Sequence, residues 1–364
     1  MIDALEKALS GFKDEYHSLL SSFRAINLDH WQGQNYVIMD YWLGDIVLGL
    51  TNMKAHKLKS SKAYAIKMHA LDAKMVSMCL AKFPCSAAMA KTITIPYTFH
   101  HKTSQPVLPN LEQIGVPQAH LQTRGEGTLV AILDTGVATH RELATYEGGK
   151  SFVGGKQEDR IGHGTHVAGT ICGQRTGVAP GARFLAGKVL SDEGIGSEVD
   201  IIRGIEWAIK KGANIINMSL GSTRDSPFER RAVEYALNKG VQVVAAAGND
   251  GREVYTYPAS YEGVWSSAAV DVHNHHASFS NWNDQVLIAA PGVNIVSSYL
   301  KNKYAYMSGT SMATPHVAGV LALAHSLGRP YHKVADTAHP LGDTKKFGHG
   351  LVQAQEVARA LRVA

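Results

Sequence analysis

Apolar residues fall at helical spacing from the start of the chain. Ile2, Leu5, Leu9, Phe12, Tyr16, Leu19, Leu20 and Phe23 recur three or four apart, with Asp3, Glu6, Lys7, Lys13 and Asp14 between them, which predicts an amphipathic helix within residues 1–35. The mixed sign of its polar face favours packing on its own domain over lying on a membrane. From 36 to 101 the pattern becomes a small α/β unit. Residues 36–41 and 62–69 read as strands, 44–57 as a short helix, and 72–82 as a helix that Pro84 ends. Residues 91–101 are β-rich, with Pro96 confining them to an edge or an extended arm. Pro106 and Pro109 amid polar residues mark 102–110 as a linker.

After this break the pattern is regular. Short apolar strands at 128–133, 183–189, 213–218, 241–247 and 286–289 alternate with helices at 197–211 and 225–239, and Ser197 stands where an N-cap belongs. Such alternation predicts an α/β domain over 111–364, with a mostly parallel sheet covered on both faces. Chemistry in such sheets collects at the carboxyl ends of the strands.

Composition narrows the class. The chain has 364 residues, 45% hydrophobic and 18% charged, which fits a folded protein with one large domain and something smaller. Its net charge of +5, 36 basic against 31 acidic residues, contains no basic block, so nucleic acid is not implied. Cys79, Cys85 and Cys172 are odd in number and lack metal-type spacing, which argues against a disulfide framework. No stretch is apolar for long enough to cross a bilayer. The first twenty residues lack the basic start and apolar run of a signal peptide. If Met1 is the natural start, the expectation is a cytoplasmic protein, with secretion the alternative.

Four segments carry candidate chemistry. Asp134 follows four apolar residues in VAILDTG, where a carboxylate is costly unless paired; the alternative is a turn-forming Asp. His163 opens the small-residue helix of GHGTHVAGT, and His166 within it reads as structural. Asn249 ends the strand VVAAAGN, as a turn residue or a donor to an anion. Ser311 lies in GTSMATPHVAG, with Pro315 inside the first turn of an apolar helix. There it is either an N-cap or a nucleophile beside unpaired N–H groups. A Ser nucleophile, a His base, an Asp that orients the base and an amide donor make the full set for acyl transfer.

The segments DTG at 134–136, HGTHVAGT at 163–170, AAAGN at 245–249 and GTSMATPHVAG at 309–319, in that order, resemble the subtilisin-like serine proteases. The resemblance covers roughly 105–360 and implies a three-layer subtilisin-like fold. It also implies a serine endopeptidase with Asp134, His163 and Ser311 as the triad and Asn249 at the oxyanion. Ser219, Leu220 and Gly221 resemble one substrate-pairing segment, and Gly194, Ile195 and Gly196 the opposite one, so that a peptide is held between them as an added strand. Ala246, Ala247 and Gly248 would then line the pocket for the side chain before the cut, with Thr256 at its floor, favouring a medium apolar side chain.

Residues 36–101 are similar in size and pattern to the family's ferredoxin-like inhibitory propeptide. One version has the enzyme cut itself between 97 and 104. In the other, Thr94-Ile95-Pro96-Tyr97 resembles the uncut Ile-Pro-Tyr plug of intracellular subtilisins, although those relatives are acidic and this chain is not. The loop that binds calcium tightly in many subtilases is here cut to Gly173-Gln174-Arg175-Thr176, without a carboxylate. No cofactor is therefore expected to be required, and calcium stays open only at weaker positions such as Glu142 and Asp271. His273, His275 and His276 read as a solvated loop rather than a metal site, and Cys172 as a buried small residue. A binding scaffold on a dead protease fold would have lost a triad member, and none is lost. An α/β-hydrolase would need G-x-S-x-G, but Ala313 stands where the second Gly belongs.

Overall fold

The structure is a computed structural model that describes residues 34–40, 55–69, 87–89, 92–95, 98–103 and 108–359. The chain forms two compact units, one of residues 1–91 with 226–232, the other of residues 92–225 with 233–364. In the first, β1 (Gln34–Asp40), β2 (Ala55–Leu58), β3 (Ala63–His69) and β4 (Ala87–Met89) make an antiparallel sheet in the order β2-β3-β1-β4. Ile38, Met39, Leu58, Ala65 and Ile66 are buried in it. The expected strands at 36–41 and 62–69 are β1 and β3. The helix expected at 44–57 is corrected at its end, where Ala55–Leu58 pairs with β3 across a turn that puts Lys62 at φ 49°. A hairpin partner close in sequence outweighs weak local helix preference. Residues 41–54 and the helices expected at 2–23 and 72–82 lie outside the described residues.

The second unit holds β5 (Thr92–Thr94), β6 (Thr98–Thr103), β7 (Leu129–Asp134), β8 (Tyr146–Ser151), β9 (Arg183–Lys188) and β10 (Ile195–Ser197). It continues with β11 (Ile215–Met218), β12 (Gln242–Ala246), β13 (Trp265–Val270), β14 (Ile288–Pro291), β15 (Ile295–Tyr299) and β16 (Lys303–Ser308). Seven of these strands form one parallel sheet in the order β14-β13-β12-β11-β7-β9-β8. The last predicted sheet strand begins two residues late, at Ile288 rather than 286.

The longer helices are α1 (His163–Cys172), α2 (Glu198–Lys210), α3 (Pro227–Asn238) and α4 (Thr310–Ser326). Val130 and Ile132 of β7 join a core with Val167 of α1 and Val317 and Leu321 of α4. The alternate residue Leu133 turns to the opposite face, where Gly204 of α2 lets the helix come close. Helices therefore cover both faces, giving the three-layer fold. All residues of α4 from Thr310 to Ala324 are buried, as a helix apolar around its circumference must be. It packs on β7, on β11 to β14 and on α1. Ser197 does cap α2, accepting the Asp200 N–H at 3.3 Å.

The chain leaves β7 toward β9 and later returns to β11 on the other side of β7. Connections part there, at the carboxyl ends of the strands, which leaves a crevice. Asp134 ends β7, Ser219 follows β11, and Asn249 follows β12. Two small antiparallel pairings flank this edge, β5 on β10 and β6 on β16.

Candidate active site

Asp134 is fully buried, and its Oδ1 accepts the Thr135 N–H at 2.7 Å and faces His163 Nδ1 at 2.7 Å. Oδ1 of this buried carboxylate is thus met twice, whereas Oδ2 is buried without a hydrogen-bond partner among the described residues. His163 is the first residue of α1 and is fully buried. The glycines beside it have separate reasons. Gly162 sits at φ 93°, and a Cβ there would overlap the Tyr299 ring. Gly164 lies against the Gly136 carbonyl, where a Cβ would collide. Both allow the imidazole to come within reach of the strand end.

Ser311 is the second residue of α4 and is also buried. The helix starts at Thr310, so Pro315 falls in its second turn rather than the first. Its missing N–H would have bonded the Ser311 carbonyl. That carbonyl instead accepts the Ser219 hydroxyl at 2.9 Å, while the Ser311 hydroxyl donates to the Ser219 carbonyl at 3.0 Å. The reciprocal pair joins the helix start to the segment after β11. α4 packs on α1, and the hairpin that leads into α4 is bonded to α1 as well. His166 Nε2 donates toward the carbonyls of Ile295 and Ala305 at 3.0 and 3.1 Å, and the Ser298 hydroxyl donates to the Thr165 carbonyl at 2.8 Å. His166 is thus structural, and burial lowers its pKa to about 3.

Asn249 turns its carboxamide oxygen to Thr310, accepting from the N–H at 2.9 Å and the hydroxyl at 2.8 Å. The end of the side chain with hydrogens to give is therefore the one available to an anion. Gly221, Ser222, Thr223, Gly248, Asn249 and Thr256 line a cleft of about 390 Å³ together with Asp250 and Thr94. Ala246, Ala247 and Leu220 are buried. Asn281 bonds Thr256 and Asp250 at 3.3 and 3.0 Å and so fixes one end of the cleft.

A strand of the chain itself lies between the two segments that the sequence likens to substrate-pairing ones. Ile93 pairs with Gly196 and Thr94 with Ile195. On the other side Thr94 and Gly221 exchange both backbone hydrogen bonds, at 3.2 and 3.0 Å.

Residues 125–356 match the model of the subtilase family. The chain belongs to the subtilase family. It is a serine endopeptidase similar to the thermostable alkaline protease of Halalkalibacterium halodurans, 46% identical over 69% of this chain and 73% of that protein. It is also similar to subtilisin Savinase of Lederbergia lenta, 43% identical over 70% of this chain and all of that protein. With alkaline elastase YaB of Bacillus sp. (strain YaB) it shares 36% identity over 98% of this chain and 92% of that one, so that likeness includes the N-terminal hundred residues.

Subtilases commonly bind calcium, and Glu142 is where a fit can be tested. Its Oε2 accepts the backbone N–H groups of Arg175 and Thr176 at 2.7 and 3.3 Å, and its Oε1 accepts the Tyr304 hydroxyl at 2.6 Å. Hydrogen-bond donors surround this carboxylate, whereas calcium would need oxygen ligands. Among the described residues no three metal-ligating side chains converge, and His276 of the histidine loop packs edge-on against Trp282 and Phe347. Burial pushes the Cys172 thiol up, as expected of an inert core residue. Among the described residues no helix is long and apolar enough to cross a membrane. Reading the sequence missed Thr310 and Asp159. The spacing Asp159-x-x-x-His163 was a usable signal for the second.

Proposed function

We propose that Asp134, His163 and Ser311 form the catalytic triad of this endopeptidase, with Asn249 at the oxyanion, and that its own N-terminal region holds it inactive. The observation that carries the reading is the buried 2.7 Å contact of Asp134 with His163 on a helix packed against that of Ser311. In the reaction Ser311 Oγ turns from the Ser219 carbonyl to His163 Nε2, gives up its proton and attacks the peptide carbonyl carbon. The oxyanion meets Asn249 Nδ2 and the Ser311 N–H. His163 then protonates the leaving amine, and water repeats the sequence on the acyl-enzyme. Asp134 stays ionised and stabilises the imidazolium.

The proposed division is an extension at 1–35, an inhibitory domain at 36–101, a processing region at 102–110 and a catalytic domain at 111–364. Support for autoinhibition comes from β5, which pairs with both segments expected to hold substrate, and from full burial of His163 and Ser311. Two residues after Thr94 the sequence carries Pro96, which has no N–H to offer and resists cleavage at its own bond. The substrates are extended polypeptides held as an added strand. The small pocket walls with Thr256 favour a medium apolar side chain. The tight calcium site is lost with the carboxylate-free loop 173–176, and at the weaker position Glu142 is met by the N–H groups of Arg175 and Thr176 and the Tyr304 hydroxyl.

Intact-mass spectrometry of wild type beside Ser311→Ala tests this. Loss of about a hundred N-terminal residues by the wild type alone supports self-processing. If both stay whole while the wild type slowly cuts an added peptide, the segment is an uncut plug. A wild type with no peptidase activity, even after the N-terminal region is nicked by trace protease, sinks the triad reading.

A further inference from the structure

We propose that Asp159 is a positioning residue for the Asp134–His163 pair, tying the strand end that carries one to the helix start that carries the other. The inference rests on the triad reading above. Asp159 is buried, and its two oxygens accept five hydrogen bonds. Oδ1 takes the Thr135 hydroxyl at 3.0 Å and the N–H groups of Ile161 and Gly162 at 3.1 and 2.9 Å. Oδ2 takes the N–H and the hydroxyl of Thr165 at 2.9 and 2.6 Å.

The partners sit on both sides of the reacting pair. Gly162 precedes His163 and Thr165 follows it by two. Thr135 follows Asp134, gives its N–H to the Asp134 carboxylate, and through its hydroxyl oxygen accepts the Gly164 N–H at 2.9 Å. Three of the N–H groups that a helix start leaves without an intrahelical partner are therefore bound to Asp159 or to its partner Thr135. The far side of Thr135 is fixed too, its carbonyl accepting the buried Lys188 ammonium at 2.6 Å, and Lys188 also bonds Asp192 at 2.9 Å. Thr135 thus has its N–H, hydroxyl and carbonyl all engaged by the groups that frame the pair.

This arrangement fixes where the imidazole stands relative to its carboxylate, and misplacement by about 1 Å in an active site costs on the order of a hundredfold in rate. Asp159 bonds neither β10 nor the segment 219–221. Its one link to the groove among the described residues is the N–H of Ile161, which lines it beside Gly194 and Ile195, so its loss should appear mainly in turnover. Burial and the nearby Asp134 charge push the Asp159 carboxyl up, against hydrogen bonds from Thr165 and Gly162 that favour the anion. The donors and the charge keep each other in place.

The test uses the full-length protein after its N-terminal region is nicked by trace protease, with active sites counted by an organophosphonate that labels the reactive serine. Asp159→Asn keeps the shape but turns one acceptor oxygen into an NH₂ facing N–H or O–H donors. We expect kcat per labelled site to fall about ten- to a hundredfold with KM within about twofold. Thr135→Ser keeps the bridging hydroxyl and should hold kcat within about twofold, whereas Thr135→Val should lose at least about tenfold. Folded Asp159→Asn with wild-type kcat overturns the proposal, as does a loss shared equally between kcat and KM. If Asp159→Asn does not fold, equal kcat for the two Thr135 variants overturns it. A wild type that, once nicked, neither labels nor turns over overturns the triad reading instead, and this inference with it.

Discussion

Ser219 and Ser311 depend on each other because Pro315 has no hydrogen to give. Removing the Ser219 hydroxyl leaves the buried Ser311 carbonyl without its donor. Ser219→Ala is therefore expected to cost about 1–3 kcal/mol and to lower Tm by several degrees in a scan beside wild type. Asn249→Ala should leave KM nearly unchanged and lower kcat by about 10²–10³. That range belongs to the oxyanion asparagine of subtilisin, a member of this family. A steady-state assay with a peptide amide decides it, and a loss below about fivefold would remove Asn249 from the oxyanion site. At this scale the sequence was legible where chemistry forces a residue type, as at Asp134 and His163. It was opaque at Ser219, whose hydroxyl matters only because of a proline 96 positions further on, whereas at Asp159 the spacing to His163 was a signal and only the Thr135 donor comes from a distant stretch.

Helices α1 and α4 each carry a buried histidine that must stay neutral. His166 donates to strand carbonyls, and burial lowers its pKa to about 3. His316 lies on α4, bonded by Nδ1 to the Met312 carbonyl at 2.8 Å and by Nε2 to Asn110 at 2.8 Å, and burial lowers its pKa to about 4. An unfolded histidine titrates near 6.5, so below that pH the unfolded chain takes up protons that the folded one refuses. Stability should be complete above pH about 6.5 and fall as pH drops toward 4 and 3, by about 1.4 kcal/mol per unit for each histidine. Urea midpoints at pH 7, 6 and 5 measure the slope, and His316→Gln should reduce it. A second element-level prediction concerns Gly162→Ala. It forces a side chain into the left-handed region against Tyr299, at a cost of about 1–3 kcal/mol from the backbone alone. Urea titration should show the loss. The parallel strands were readable from short apolar runs because both faces of the sheet are covered. Their ends moved by one or two residues where pairing with a neighbour, rather than composition, sets the limit. The expected helix end at 55–57 gave way to a hairpin for the same reason.

Across the whole molecule, the break that composition suggested near residue 102 and the division of the packed units at 91–92 differ by about ten residues. The difference arises because Thr92–Thr94 and Thr98–Thr103 find their partners in β10 and β16, far along the chain. No local pattern announces a strand that completes a distant edge. Calcium dependence also belongs to this scale. With Glu142 held by backbone N–H groups and Tyr304, excess EDTA is expected to shift Tm by less than about 2 °C. Glu142→Gln should cost about 1–3 kcal/mol. A large EDTA shift in the wild type would mean that a cation site elsewhere supports the fold. Finally, a strand that inhibits while covalently joined to its cleft, as proposed for β5, cannot be diluted away from it. A short tether holds its end at an effective concentration on the order of millimolar, whatever the protein concentration. Once the tether is cut, the same strand is an ordinary ligand that leaves when diluted below its Kd. Latency that persists through a thousandfold dilution marks an intact chain, and latency that fades marks a nicked one.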